Sequence, residues 1–438
     1  MQKAKSNRLI GLMDCNNFFV SCERTLRPDL QGKPVVVLSN NDGCVVARSN
    51  EAKALGIPMG APLFQYERFF QSHGVTVFSG NMAFYKSMSR RVMELLSSVT
   101  DCVEQASIDE AFFNLHIRSI ENKETYCRAF RQKILSKLGI PVSIGISTTK
   151  TLCKLAAEIA KTRTRKDPQS SGVCLLSVEE AQRFCHRLAL REIWGIGRQS
   201  AVFLEKHGIR TVGALMRQPE EWIRKNLSLK TLDTVRELQG ICCFPLQEEE
   251  EKQKSMMVSS SFGQRLSAFE DIKDALVKHC VRGAAGLRRQ GLRAGVVGCT
   301  LRTSFFIESV YSQAARKELS PPTSQDQEII TAAVECLRQI YRPGMEYAKV
   351  GVFFEHLEDL DCGQIHLEDL DPQRKRMDDL FQAIDALNDR FGEKTIVHAS
   401  LKNSLISDPH KNRLSLWQEN DITKPEDRCQ NIKNTDRI

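Results

Sequence analysis

Short apolar runs bounded by turn residues alternate with stretches of helical period along the first 177 residues. Leu9–Asp14 reads as a strand that ends in an acid, and Pro34–Leu38 as a second strand, followed by the polar loop Ser39–Gly43. Ser49–Leu55 is helical and stopped by Gly56 and Pro58; Tyr85–Ser97 is a longer helix. A strand at Cys102–Ala106 runs into Ser107-Ile108-Asp109-Glu110 and leaves through Ala111–Leu115. An amphipathic helix at Thr125–Leu138, a strand at Val142–Ser147 and a helix at Thr149–Lys161 follow, the last ending in the basic stretch Lys161–Lys166. Strands and helices alternate without a simple βαβ period, which predicts an α+β, multidomain chain rather than a doubly wound sheet. From about Val178 to Phe244 the pattern is helical with short turns. Gln247–Ser255 is charged and apolar-free, the mark of a linker. Beyond it Met257–Arg265, Phe269–Gln290, Ala294–Thr303, Ser309–Glu318, Gln325–Tyr341 and Ala348–Glu355 read β-α-β-β-α-β, enough for one compact domain.

At 438 residues the chain is long enough for about two to four domains. Hydrophobic residues at 41% and charged residues at 26% exclude disorder of the whole. No apolar run approaches the ~20 residues of a membrane helix, and Met1–Leu12 lacks the apolar core of a signal peptide. The fifteen cysteines are odd in number and form no CxxC pair, which predicts buried reduced thiols in a cytoplasmic protein rather than a zinc site or disulfide framework. The net charge of +8 is uneven: residues 361–438 carry −3 and the remainder +11. A basic body fits a polyanion partner, with a solvated basic surface as the alternative.

Asp14, Asp109 and Glu110 stand where a strand ends or turns. An acid at the edge of an apolar strand is costly to bury unless paired or bound to a cation. Adjacent Asp109 and Glu110 fall on opposite faces of a strand unless the turn twists them together. Converging carboxylates are hard oxygen ligands for Mg²⁺, and two such ions serve in-line phosphoryl transfer. The alternative is a set of solvated turn acids.

Asp14-Cys15-Asn16-Asn17-Phe18-Phe19 with Val20-Ser21-Cys22-Glu23 resembles the first motif of the Y-family (translesion) DNA polymerases. Ser107-Ile108-Asp109-Glu110 resembles the second, and Gly145-Ile146-Ser147 with Thr149-Lys150 and Lys161 the third. Arg27-Pro28-Asp29-Leu30, Gly32–Cys44 and Glu51–Gly56 resemble the UmuC-type catalytic subunits within that family. The likeness runs from about residue 9 to 355.

The resemblance implies a right-hand polymerase: palm at 1–17 and 84–177, small fingers at 18–83, helical thumb at 178–246, linker at 247–256, little finger at 257–356 and a partner-binding tail at 357–438. It implies low-fidelity, template-directed translesion synthesis in an SOS-type response, by two-metal transfer from a dNTP to a primer 3′-hydroxyl. Asp14, Asp109, Glu110 and the Cys15 carbonyl would hold two Mg²⁺ ions. Phe19 matches the aromatic steric gate under the sugar, with Phe18 beside it. Lys53 and Lys161 fall at triphosphate-binding positions, near Arg48 and Asn50. Trp194-Gly195-Ile196-Gly197-Arg198 matches a helix–hairpin–helix whose exposed N–H groups seat a DNA phosphate. Arg282, Arg288, Arg289, Arg293 and Arg302 are candidate phosphate contacts of the little finger. A non-catalytic DNA-binding scaffold is the rival reading.

The tail implies partners. Gln364-Ile365-His366-Leu367-Glu368 resembles a sliding-clamp-binding pentapeptide through Gln364, Ile365 and Leu367, although Glu368 replaces the terminal aromatic. Leu380-Phe381 is either a substitute for it or, at helical spacing with Ile384 and Leu387, core. A UmuD′-like dimer and a RecA filament are implied by the subfamily resemblance alone.

Overall fold

The computed structural model describes residues 9–39, 42–115, 123–167, 169–247, 253–360, 372–392 and 395–397. Two compact units separate near residue 250, inside the predicted linker. In the first, β1 (Ile10–Cys15) leads into α1 (Phe18–Leu26), β2 (Val35–Leu38), β3 (Val45–Arg48), α2 (Asn50–Ala54), α3 (Leu63–Ser72) and β4 (Thr76–Phe78). Next come α4 (Met82–Ser97), β5 (Val103–Gln105), β6 (Glu110–Asn114), α5 (Lys123–Leu138), β7 (Val142–Ser147), α6 (Lys150–Lys166) and β8 (Val173–Leu175). Five helices close the unit: α7 (Val178–Cys185), α8 (Arg198–Lys206), α9 (Val212–Met216), α10 (Glu220–Asn226) and α11 (Leu229–Leu238).

β1 sits at the centre of a five-stranded sheet ordered β5-β6-β1-β7-β8, antiparallel to β6 and β7. Its side chains alternate faces. Met13 and Cys15 enter a core with residues of α1, α4 and α5. Ile10 and Leu12 pack with Phe112, Cys153 and Ala157, so that face meets α6. By the same alternation Asp14 falls on the α6 face, opposite Glu110 in the register. Gly145 permits the closeness of α6: a Cβ there would lie 2.2 Å from the Cys153 carbonyl oxygen and 2.3 Å from the Ala157 nitrogen. A smaller sheet, β3-β2-β4, has its own core of Val36, Leu38, Val45, Ala52, Ile57 and Phe70.

The helix predicted to end at Lys161 continues to Lys166. Nothing in Lys161–Lys166 breaks a helix; the stop is Asp167, extended because it precedes Pro168. The helices α7–α11 share one core, tied to α6 by Glu237, which is fully buried. The Glu237 carboxylate accepts from Thr151 N (2.8 Å), Thr151 Oγ1 (2.9 Å), Cys243 N (3.1 Å) and Phe244 N (2.9 Å), which offsets the cost of burying it.

The second unit runs β9 (Ser255–Leu266), α12 (Phe269–Arg289), β10 (Leu292–Thr303), β11 (Ser312–Thr323), α13 (Asp326–Ile340), β12 (Tyr347–Asp359) and α14 (Pro372–Phe391). Its antiparallel sheet is ordered β11-β10-β12-β9. The β-α-β-β-α-β pattern is as the sequence predicts, and α12 and α13 pack on one face over Val297, Cys299, Leu301, Val350, Val352 and Phe354. Among the described residues nine cysteines, Cys15, Cys153 and Cys280 among them, are buried thiols. Among the described residues no helix is long and apolar enough to cross a membrane.

Candidate active site

The end of β1, the start of α1, the β3–α2 junction and the C-terminal half of α6 border a cavity of about 340 Å³ in the first unit. Asp14, Cys15, Phe18, Phe19, Arg48, Asn50, Lys53, Asp109 and Lys161, nine residues singled out from the sequence, all line it. The turn carrying Asp109 is laced to β1, since Cys15 N donates to the Asp109 carbonyl at 2.8 Å. Ser107 shapes that turn: its hydroxyl accepts from Glu110 N (3.1 Å) and donates to Asp109 Oδ1 (2.6 Å).

Lys161 Nζ donates to Asp14 Oδ2 at 2.7 Å. Burial still outweighs that contact and, with repulsion from Asp109 and Glu110, pushes the Asp14 carboxyl up to about 6. On the opposite wall, burial holds Lys53 below the usual lysine range, with Arg165, Arg48 and Lys161 acting in the same direction. The cavity therefore holds acids that crowd one another and cations that crowd one another, with the Lys161–Asp14 pair joining the two groups. Such a site has charge to offer both a divalent cation and a polyphosphate.

Glu110 departs from the expected convergence. It does not line the cavity; its Oε1 accepts from Lys154 Nζ at 2.9 Å under α6. Among the described residues no three His, Cys, Asp or Glu side chains are placed to hold a metal ion together. Asp109 lies in the turn before β6 and lines the cavity with Asp14, whereas Glu110 stands opposite Asp14 in the strand register on the face that α6 covers. Phe18, although it touches the cavity, is 3% exposed and belongs to the core, whereas Phe19 is half-buried and open to the cavity. One Arg48 nitrogen is bound to the Ile57 carbonyl.

The sequence reading missed Asn17 and Arg165. Asn17, in the left-handed region at φ 49°, accepts from Lys53 Nζ (2.6 Å) and donates to Asn50 Oδ1 (3.1 Å). Nothing in linear spacing shows that bridge, which spans 36 and 33 residues. Arg165 follows Lys161 by four on a helix, so a helix carried past Lys161 would have placed both on one face.

In Gly195-Ile196-Gly197-Arg198, Gly197 precedes α8 without a side-chain cap, leaving backbone N–H groups of that helix start without a side-chain acceptor. Ile196 is buried among the helices, so its side chain anchors the turn and is not offered to a ligand. In the second unit, Arg282 stays exposed on α12, but Arg288 is a correction. At 7% exposure it is bound to Asp326 Oδ1 (2.7 Å), the Ser324 carbonyl (2.7 Å) and Asp385 (2.6 and 3.0 Å). A guanidinium so enclosed spends four of its five N–H donors inside the protein and is too buried to reach a phosphate. Arg289 pairs with Asp389, and Arg293 with Asp378 at 3.5 Å. All three carboxylates Asp378, Asp385 and Asp389 come from α14, of which the sequence reading saw only the helical spacing of Leu380-Phe381, Ile384 and Leu387. Phe381 of that helix is buried under the Arg288 guanidinium, 5.0 Å from its ring centre. On the sheet face away from α12 and α13, Arg302 and Lys349 stand opposite each other in the strand register and stay partly exposed. Gln364, Ile365 and Leu367 lie outside the described residues.

Comparison with known proteins supports a single lineage. The impB/mucB/samB family model matches residues 13–158, and the model for that family's C-terminal domain matches 253–367. Protein UmuC of Salmonella typhimurium is 36% identical over 419 residues, 93% of this chain and 99% of that protein. DNA polymerase IV of Dehalococcoides mccartyi is 29% identical over 341 residues, 76% of this chain and 83% of that one. Among solved structures, a Y-family DNA polymerase chimera of Dbh and Dpo4 superposes with a TM-score of 0.65 over 80% of this chain and 98% of its own, at 22% identity. At that identity the likeness speaks for the fold.

Proposed function

We propose, for a chain that belongs to the impB/mucB/samB family and has the Y-family polymerase fold, that it is a template-directed, low-fidelity DNA polymerase extending primers past lesions. The observation that carries the chemistry is that Asp14 and Asp109 line one cavity together with Lys53 and Lys161.

The donor set suits Mg²⁺. Asp14 and Asp109 offer hard oxygens beside the Cys15 backbone, and a cation bound there would favour the ionised Asp14 that burial, with a smaller contribution from Asp109 and Glu110, disfavours. Glu110 joins them only by exchanging Lys154 for the metal. Two ions bound there would supply Lewis-acid stabilisation to the α-phosphate and lower the pKa of the primer 3′-hydroxyl. Lys53 and Lys161, which line the same cavity, would receive the negative charge of the departing pyrophosphate as compact cations. Phe19 presents a flat ring where the sugar would sit, and positioning with electrostatics accounts for the rate.

In this reading the five-stranded sheet is the palm, β2–β4 with α1–α3 the fingers, α7–α11 the thumb and the second unit the little finger. DNA phosphates would meet the N-terminus of α8, Arg282 and the open sheet face bearing Arg302 and Lys349, not Arg288. The dNTP, the primer–template, a UmuD′-like dimer, a RecA filament and a sliding clamp follow from the family reading.

The test is primer extension by purified protein with Mg²⁺ and dNTPs across an abasic site, with and without a UmuD′-like dimer and activated RecA. Incorporation is expected, and Asp109→Ala should abolish it while leaving DNA binding intact. Retained synthesis in that variant would overturn the site, and DNA binding without incorporation under any condition would favour the scaffold.

A further inference from the structure

Phe19 has one ring face toward the cavity and the other on Tyr85. The two rings stack at 4.4 Å between centres and 14° between planes. Tyr85 is a residue of α4 and fully buried. Its hydroxyl donates to Glu23 Oε1 at 2.7 Å, and Glu23 is itself only 1% exposed. Phe19 and Glu23 are four apart on α1, so one helix face holds Tyr85 at both its ring and its hydroxyl. A carboxylate in that apolar core is costly unless hydrogen-bonded. Its geometric effect is to fix where the Tyr85 ring lies.

We propose that Tyr85, anchored by Glu23, is the positioning residue that holds the Phe19 ring forward and so sets discrimination between deoxyribo- and ribonucleoside triphosphates. This rests on the polymerase reading above. A steric filter works only if the blocking ring cannot recoil, because a 2′-hydroxyl differs from hydrogen by little volume. A flat ring behind Phe19, itself tethered at its far end and flanked by Phe84 at 5.9 Å, leaves no space for recoil. The polar tether matters because Tyr85 could otherwise slide along the stack. Rotation of a ring about its own axis would not be enough to lose the filter; translation would.

The experiment compares dNTP and rNTP incorporation opposite an undamaged template base in wild type, Tyr85→Leu, Tyr85→Phe and Phe19→Ala. Tyr85→Leu should lower discrimination about tenfold or more, the scale at which small changes of pocket shape act. Tyr85→Phe keeps the stack and should stay between wild type and Tyr85→Leu. In a Phe19→Ala background Tyr85→Leu should change discrimination no further, whereas general damage to the fold would lower dNTP use in both backgrounds. Should Tyr85→Leu fail to fold, Tyr85→Met refills most of the volume without a flat face and carries the same expectation. Folded variants with unchanged discrimination overturn the proposal. Wild type that incorporates no nucleotide overturns the polymerase reading instead.

Discussion

Lys161 Nζ lies 2.7 Å from Asp14 Oδ2, so the cation proposed to bind a triphosphate is bound, in the protein alone, to the carboxylate proposed to bind a metal. The two expected ligands have their counter-charges already in hand, each on the other. Filling the site therefore means exchanging partners rather than neutralising bare charges.

The exchange gives a pH signature. Asp14 titrates near 6 in the fold, above the 3.8 of a free side chain, so the folded state favours its protonated form. That stabilisation is present below pH ~4 and is lost as pH rises through ~6; above it, ionised Asp14 costs on the order of 3 kcal/mol. Without divalent ions Asp14→Asn should thus melt higher than wild type at pH 8 and level with it near pH 4. Calcium should raise the wild-type Tm at pH 8 and leave the variant unmoved. Thermal melts in EDTA and in calcium decide this; a variant melting lower at pH 8 contradicts it.

Gly145→Ala tests the seat of α6. The added methyl would lie 2.2 Å from a backbone oxygen, so strand and helix must part, carrying Lys154 and Lys161 with them. We expect a stability loss of about 1–3 kcal/mol by urea unfolding and incorporation reduced about a hundredfold, the usual cost of ~1 Å misplacement. Unaltered kinetics would mean that the helix position does not set the site.

Asn17→Ala removes the amide that holds both Lys53 and Asn50. The expected result is a KM for dNTP raised several-fold with kcat within about twofold, the mark of lost ground-state binding. Asn17 has a positive φ, which alanine adopts at a cost, so Asn17→Gly separates the amide from the backbone. Both variants should show the same KM if the amide is responsible.

Arg288 and Arg302 should behave oppositely. Arg288→Ala leaves Asp326 and Asp385 enclosed without their counter-charge, a change worth about 3–5 kcal/mol in buried pairs. DNA affinity of the protein that remains folded should not move. Arg302→Ala should leave stability within about 0.5 kcal/mol and lower the salt slope of DNA binding by about one. Urea melts and a salt titration of fluorescence anisotropy read both.

What the sequence discloses and what it hides follow from range. Val142–Ser147 is a fully buried strand between turn signals, and its bounds are read directly. Asp14 and Phe19 lie in one local motif, so the cavity wall they share is legible. β4 and β8, at three residues each, are too short for a period to register. The partners of Glu110 and Arg288 are invisible for another reason: Lys154 is 44 residues away and Asp385 is 97 away. Charge patterning along the chain shows that a base exists, not whether an acid will later claim it.

The clasp between α12 and α14 bears on where this protein can be divided. The stretch recognised as the family's C-terminal domain stops at residue 367, before the helix that supplies Asp378, Asp385 and Asp389. A fragment cut there would retain every strand and both packing helices. It would also carry Arg288 with half its counter-charge removed and an apolar seat, vacated by Phe381, opened to water. The inherited module and the cooperative folding unit thus have different ends, and a truncation guided by ancestry alone would yield a stickier, more basic protein than the parent.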